Sequence, residues 1–175
     1  MSENDYDRRS DLPSPSPDSE TTFRRREPKP GTVLIVDDNM DDVQLARHAL
    51  GKLFPQLCTR AVLSGEEFVS YLDGRNGYAD RKAFPYPILV LLDIKMSGMS
   101  GFDVLHWLRE HPPHHYIPVI VLTVSGETEL VKRAYALGAR SFLTKPLRAL
   151  DLANAVSSLE DWLELVRAPI LLGSR

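Results

Sequence analysis

The chain has 175 residues, 43% hydrophobic and 26% charged, which is enough for one domain with a real core plus some loose sequence and too little for a second full domain. A net charge of −3 gives no field that would gather nucleic acid or anionic lipid, and a single cysteine, Cys58, excludes a disulfide framework. No run approaches the roughly 18 apolar residues of a membrane span, and the opening residues are acidic and polar rather than a basic then apolar leader, so a cytoplasmic protein is expected.

Residues 1–30 contain Pro13, Pro15, Pro17, Pro28 and Pro30 among Ser, Asp, Glu and Arg, with no apolar period, and are expected to form a disordered arm. Arg24, Arg25 and Arg26 offer a basic patch there, but the acidic residues around them favour a solvated linker. From Thr32 the pattern changes: Val33 to Val36 is a short, continuous apolar run suited to a strand covered on both faces. Val43, Ala46, Leu50 and Leu53 then recur at helical spacing, behind Asn39 as a cap and Asp41 and Asp42 as an acidic first turn. A second strand is expected near Leu57 to Leu63, with Cys58 as small core filler. Ser64 and Glu67 form a capping-box pair opening a helix through Phe68, Val69 and Leu72, and a polar loop occupies residues 73–87.

Ile88 to Leu92 is the most hydrophobic strand, followed by a Gly-rich turn and a helix bearing Phe102, Leu105 and Leu108. Val119 to Leu122 makes a fourth strand, and its helix, with Leu130, Ala134 and Leu137, stops at Gly138. Ser141 to Leu143 is a short fifth strand, and Leu152, Val156, Leu159 and Leu163 line the last helix. Five strand–helix units with buried strands imply a parallel sheet between two helical layers, whose working site lies beyond the carboxyl ends of the strands.

Those carboxyl ends carry Asp37 and Asp38, then Asp93, Thr123 and Lys145. Three gathered carboxylates repel one another unless a cation is present. Magnesium, which takes oxygen ligands and keeps waters and phosphate oxygens, suits such a site. An ammonium from Lys145 and the Thr123 hydroxyl would hold phosphoryl oxygens on the far side, leaving Asp93 as an in-line nucleophile. Each residue alone has a plainer explanation: helix dipole for the Asp pair, strand end for Thr123, exposed loop for Lys145. Asp93, directly after five apolar residues, most needs a partner.

Asp37-Asp38, Asp93-Ile94-Lys95-Met96 with Gly101 eight residues after Asp93, Thr123, and Lys145-Pro146 together resemble the receiver domains of two-component response regulators over about residues 31–165. The resemblance implies a flavodoxin-like (βα)5 fold, a three-layer sandwich with strand order 2-1-3-4-5, as a receiver domain over 31–167 and a tail over 168–175. It also implies that Asp93 is phosphorylated, that Asp38, Asp93 and the Lys95 backbone carbonyl hold Mg2+, and that Asp37 acts through water. Thr123 and Lys145 would contact the phosphoryl group. Phe142, three residues before Lys145, falls where the family has its switch aromatic; an ordinary core aromatic is the plainer alternative. The long loop over 73–87 and the ending Leu159 to Arg167 resemble stand-alone receivers paired with phytochrome-type sensor kinases. The implied partners are thus a sensor histidine kinase or a histidine phosphotransfer protein, and a downstream protein reached by contact. With Ala168 to Arg175 following the last helix, no DNA-binding output is expected there.

Two positions depart from the family pattern. Ser97 stands where proline is usual, four residues after Asp93, and a looser turn is expected. Val124 stands where a small residue usually follows the threonine, and a branched side chain there should hinder attacking water. Lys95 either adds a cation at the site's mouth or uses only its carbonyl. His106, His111, His114 and His115, around Pro112 and Pro113, are expected as solvated loop residues without acidic partners. Trp162 with Ile170, Leu171 and Leu172 either serves a dimer contact or packs on its own sheet, and a homodimer through the last two helices is expected. Two rivals remain: a pseudo-receiver that is never phosphorylated, and a haloacid-dehalogenase-type phosphatase. The phosphatase is disfavoured because Lys95 occupies the position of its second Asp.

Overall fold

Strand runs and helix repeats in this chain alternate without interruption. A computed structural model, which describes residues 31–157, resolves them as β1 (Thr32–Val36), α1 (Met40–Leu53), β2 (Cys58–Val62), α2 (Gly65–Asp73), β3 (Pro87–Asp93), α3 (Gly101–Glu110), β4 (Val119–Thr123), α4 (Thr128–Ala136), β5 (Ser141–Thr144) and α5 (Ala149–Ser157). All four strand pairings are parallel, in the order β2-β1-β3-β4-β5, so the fold is flavodoxin-like with its switch point between β1 and β3. The expected arm over 1–30, the ending through Arg167 with Trp162, and the apolar tail lie outside the described residues.

The apolar runs are continuous because each central strand feeds two cores. Val33, Ile35, Leu89, Leu91, Ile120 and Leu122 pack with Val43, Ala46, Ala49 and Leu50 of α1 and Leu152, Ala155 and Val156 of α5. The alternate residues Leu34, Val36, Val90, Leu92, Val119 and Val121 pack with Phe68, Leu72, Phe102, Val104, Leu105 and Ala134 of α2, α3 and α4. This period of two fixes the register: a slip of one residue would exchange the two layers.

Local chemistry sets the helix starts. The Asn39 side chain accepts from the Asp41 N–H at 2.9 Å and opens α1. Ser64 caps α2 by accepting from the Glu67 N–H at 3.1 Å, but the return bond from Glu67 goes to the Leu63 N–H at 2.7 Å, one residue before the expected one. A full reciprocal capping box forms instead at α3, between Ser100 and Asp103.

Several sequence expectations are corrected. Cys58 is exposed: it begins the edge strand β2, whose residues on that face become buried only at Val62, under α2. The loop over 73–87 is packed rather than merely polar: Arg81 donates to the Tyr71 and Leu72 carbonyls at the end of α2, while Phe84 packs edge-on against Tyr71 and Tyr78, which are tilted against each other. His114 is buried, 7% exposed, between Trp107 and Tyr86, with Asp73 at 3.6 Å, and burial pushes its pKa down. His111 stacks on Trp107 with its Nδ1 2.6 Å from the Trp107 carbonyl, and His106 pairs with Glu110. These three histidines thus have the partners that the sequence did not reveal.

Gly101 sits where α3 meets the end of β3, and a Cβ there would stand 2.2 Å from the Asp93 carbonyl oxygen and 2.8 Å from Ile94 Cα. Both are backbone atoms that cannot move aside. Gly101→Ala is expected to cost about 2 kcal/mol or more of stability. Urea unfolding checks this, and an unchanged midpoint would contradict the close approach.

Candidate functional site

Side-chain alternation explains which residues meet at the carboxyl edge of the sheet. Asp37 follows Ile35 by two, Asp93 follows Leu91 and Lys145 follows Leu143, all on the face covered by α1 and α5. Thr123 continues the other face after Val121, and Phe142, the register partner of Val121, packs on that same side. The acids and lysine therefore converge on one side of the sheet edge, and the threonine and aromatic share the other.

Lys145 Nζ lies 2.6 Å from Asp37 Oδ2, 3.0 Å from Asp93 Oδ1 and 2.9 Å from Asp42 Oδ2. Its side chain is only 9% exposed, so these pairs are weakly screened. Burial disfavours the ammonium, but its three carboxylate partners outweigh this and hold its pKa above the ordinary lysine range. Asp37 is buried, its Oδ1 accepts from the Asn39 N–H at 3.0 Å, and burial pushes its pKa up despite Lys145. Asp38 faces solvent. Its Oδ2 accepts from both the N–H and the hydroxyl of Ser97, at 2.9 and 3.0 Å, and these bonds hold its pKa below the usual value against a small opposing effect of burial.

The structure thus brings together Asp37, Asp38, Asp93 and Lys145 as predicted. Thr123 is fully buried at the end of β4; its Oγ1 accepts from the Ser125 N–H, and its carbonyl accepts from the Lys145 N–H at 2.7 Å. Lys95 follows in the β3–α3 turn with an exposed side chain, and Phe142 is half-buried. Two further residues belong to the site that the sequence reading gave other roles. Asp42 was assigned to the dipole of α1, yet it stands one helical turn past Asp38 and reaches Lys145. Ser97 was expected to loosen a turn, yet it tethers Asp38.

Asp37, Asp38 and Asp93 each offer a carboxylate oxygen, and these oxygens all lie within 4.8 Å of one another. An octahedral Mg2+ with bonds near 2.1 Å needs oxygen ligands about 3 Å apart, or about 4 Å when opposite, so the donor set fits after a small contraction. Hard anionic oxygens with an exposed side at Asp38 also suit a cation that retains waters.

Removing the ammonium leaves buried carboxylates facing one another. Lys145→Met is expected to cost about 3 kcal/mol at pH 7. The loss should shrink toward pH 5, because without Lys145 burial and Asp93 drive the Asp37 pKa further above its ordinary 3.8, so the folded state takes up the proton more readily than the unfolded chain. Urea unfolding at both pH values without divalent cations checks this; a loss that grows on acidification would contradict it.

Comparison with known proteins agrees with this geometry. Residues 33–157 match the family model of the response regulator receiver domain. The chain is 30% identical over 141 residues to response regulator Rcp1 of Synechocystis, covering 80% of this chain and 94% of that one. The solved Mn2+-bound form of Rcp1 superposes with a TM-score of 0.63 at 29% identity, covering 77% and 96% of the two chains. The bacteriophytochrome response regulator AtBRR gives a TM-score of 0.67 at 31% identity, covering 75% and 94%. The cyclic di-GMP phosphodiesterase response regulator RpfG of Xanthomonas campestris is 31% identical over 127 residues, which are 73% of this chain but span only 31% of RpfG. Acid cluster, lysine, sheet order and family match coincide: the chain belongs to the receiver-domain family of response regulators.

Proposed function

We propose that the chain takes a phosphoryl group onto Asp93 from the phosphohistidine of a sensor histidine kinase or a histidine phosphotransfer protein. A carboxylate oxygen of Asp93 forms the new bond to phosphorus as the P–N bond breaks, and the imidazole leaves with its electron pair. The observation that carries this reading is the contact of Lys145 Nζ with Asp93 Oδ1 at 3.0 Å beside two further carboxylates. Family membership supports it, since phosphorylation by a kinase is typical of receivers.

Asp38, Asp93 and the Lys95 carbonyl would hold Mg2+, with Asp37 acting through water; the ion would neutralise charge on the transferring phosphoryl group. Lys145 then exchanges part of its carboxylate bonding for phosphoryl oxygens, and the Thr123 hydroxyl supplies another donor. Thr123 moving toward the phosphoryl group would open space on the α4 side of the sheet for Phe142, changing the surface around α4 and β5. That change would pass the signal to a downstream protein in the cytoplasm, and to a second copy of the chain through α4 and α5. No helix among the described residues is long and apolar enough to cross a membrane. The likeness to AtBRR supports a phytochrome-type kinase as the phosphoryl donor.

Incubation with acetyl phosphate and Mg2+, read by intact mass, is expected to add a single phosphoryl group to the wild type and none to Asp93→Asn. Equal labelling of both would move the acceptor elsewhere, and no labelling of either would favour an unphosphorylated interaction module. The labelled protein should sediment as a dimer; a monomer with and without label would remove the self-association. Val124 follows Thr123 and is 65% exposed, and on this reading its branched side chain would hinder water at the acceptor. Val124→Ala should therefore shorten the life of the phosphorylated form several-fold, followed as decay of the adduct mass, and an unchanged decay would show that Val124 does not govern water access.

A further inference from the structure

The β3–α3 turn is held in a way that a proline at position 97 would forbid. Ser97 donates its N–H and its hydroxyl to the same oxygen of Asp38, at 2.9 and 3.0 Å, joining the loop after β1 to the loop after β3 across the switch point of the sheet. Proline has neither donor.

Asp38 needs such a tether. It is the exposed member of a cluster in which Asp37 and Asp93 lie within 4.8 Å, while the Lys145 ammonium is taken up by Asp37, Asp93 and Asp42. An exposed carboxylate repelled by two neighbours gains by rotating outward into water, where its charge is screened and its rotamers are free. Two hydrogen bonds to one oxygen oppose that rotation.

The tether is itself anchored, so it does not simply follow Asp38. Glu66, in the first turn of α2, accepts from the Met99 N–H at 2.9 Å. Gly65 lies so close to Met99 that a Cβ would stand 2.7 Å from its side chain and carbonyl, and Gly98 takes a left-handed φ of +73°. The start of α2 thus grips residues 98 and 99, and Ser97 projects from a fixed turn toward Asp38.

We propose that Ser97 is a positioning residue for the divalent cation: it holds the Asp38 carboxylate at the rim of the acidic cluster in the pose that a metal needs. This rests on the reading of Asp38 as a metal-binding residue. Ser97 touches neither the metal nor phosphorus and acts only through Asp38, by removing the rearrangement that a free carboxylate would have to undergo on binding.

Calorimetric titration of the full chain with Mg2+ and Mn2+, together with thermal melts of the metal-free proteins, tests this in wild type, Ser97→Ala, Ser97→Thr and Asp38→Asn. Loss of one charge-assisted hydrogen bond should raise the Kd of Ser97→Ala about threefold to tenfold. Its metal-free melting temperature should stay at the wild-type value, and Ser97→Thr, which keeps the hydroxyl, should bind as wild type. Asp38→Asn should weaken binding more than any change at Ser97. If Asp38→Asn weakens binding but Ser97→Ala binds as tightly as wild type, the role of Ser97 is overturned while the metal site stands. If wild type takes up neither ion, or Asp38→Asn binds unchanged, the metal site itself is wrong and this inference fails with it.

Discussion

One ammonium group holds together a set of acids that would otherwise drive the sheet edge apart. Lys145 reaches Asp37, Asp42 and Asp93 within 3.0 Å while nearly excluded from water. Buried ion pairs of this kind add little net stability, because desolvation offsets most of the attraction. Their consequence here is functional. Carboxylates held this close, more of them than one lysine can balance, form a cluster suited to a cation.

The sheet makes this arrangement unavoidable once the register is set. Parallel neighbours present the same face at the same level, so Ile35, Leu91 and Leu143 in one core deliver Asp37, Asp93 and Lys145 two residues later to one side of the edge. The opposite parity places Thr123 and Phe142 together over the core of α2, α3 and α4. The acids and lysine on one side of the edge and Phe142 on the other are thus linked through β4 and β5, whose pairing continues into the Lys145 N–H bond to the Thr123 carbonyl.

Much of this was legible in the sequence because it depends on order along the chain. Continuous apolar runs marked the buried strands, and reading the residue at the end of each run found Asp37, Asp38, Asp93, Thr123 and Lys145. What stayed hidden depends on neighbours distant in sequence. Asp42 looks like a helix-dipole acid until the fold brings Lys145 over the start of α1. Ser97 looks like a missing proline until Asp38, 59 residues away, is seen to accept both of its donors. The burial of His114 follows from contacts with Asp73, Tyr86 and Trp107, which no local pattern encodes. Cys58 misleads because an apolar neighbourhood says nothing about how far along an edge strand the helical cover extends.

The account stands on excess negative charge at the strand ends being resolved by a bound divalent ion. The most direct measurement is the unfolding free energy of the chain as a function of Mg2+ concentration. It is expected to rise and follow one-site linkage in the wild type, and to lose that dependence in Asp93→Asn. Stability indifferent to Mg2+ in the wild type, or an equal rise in both proteins, would contradict it.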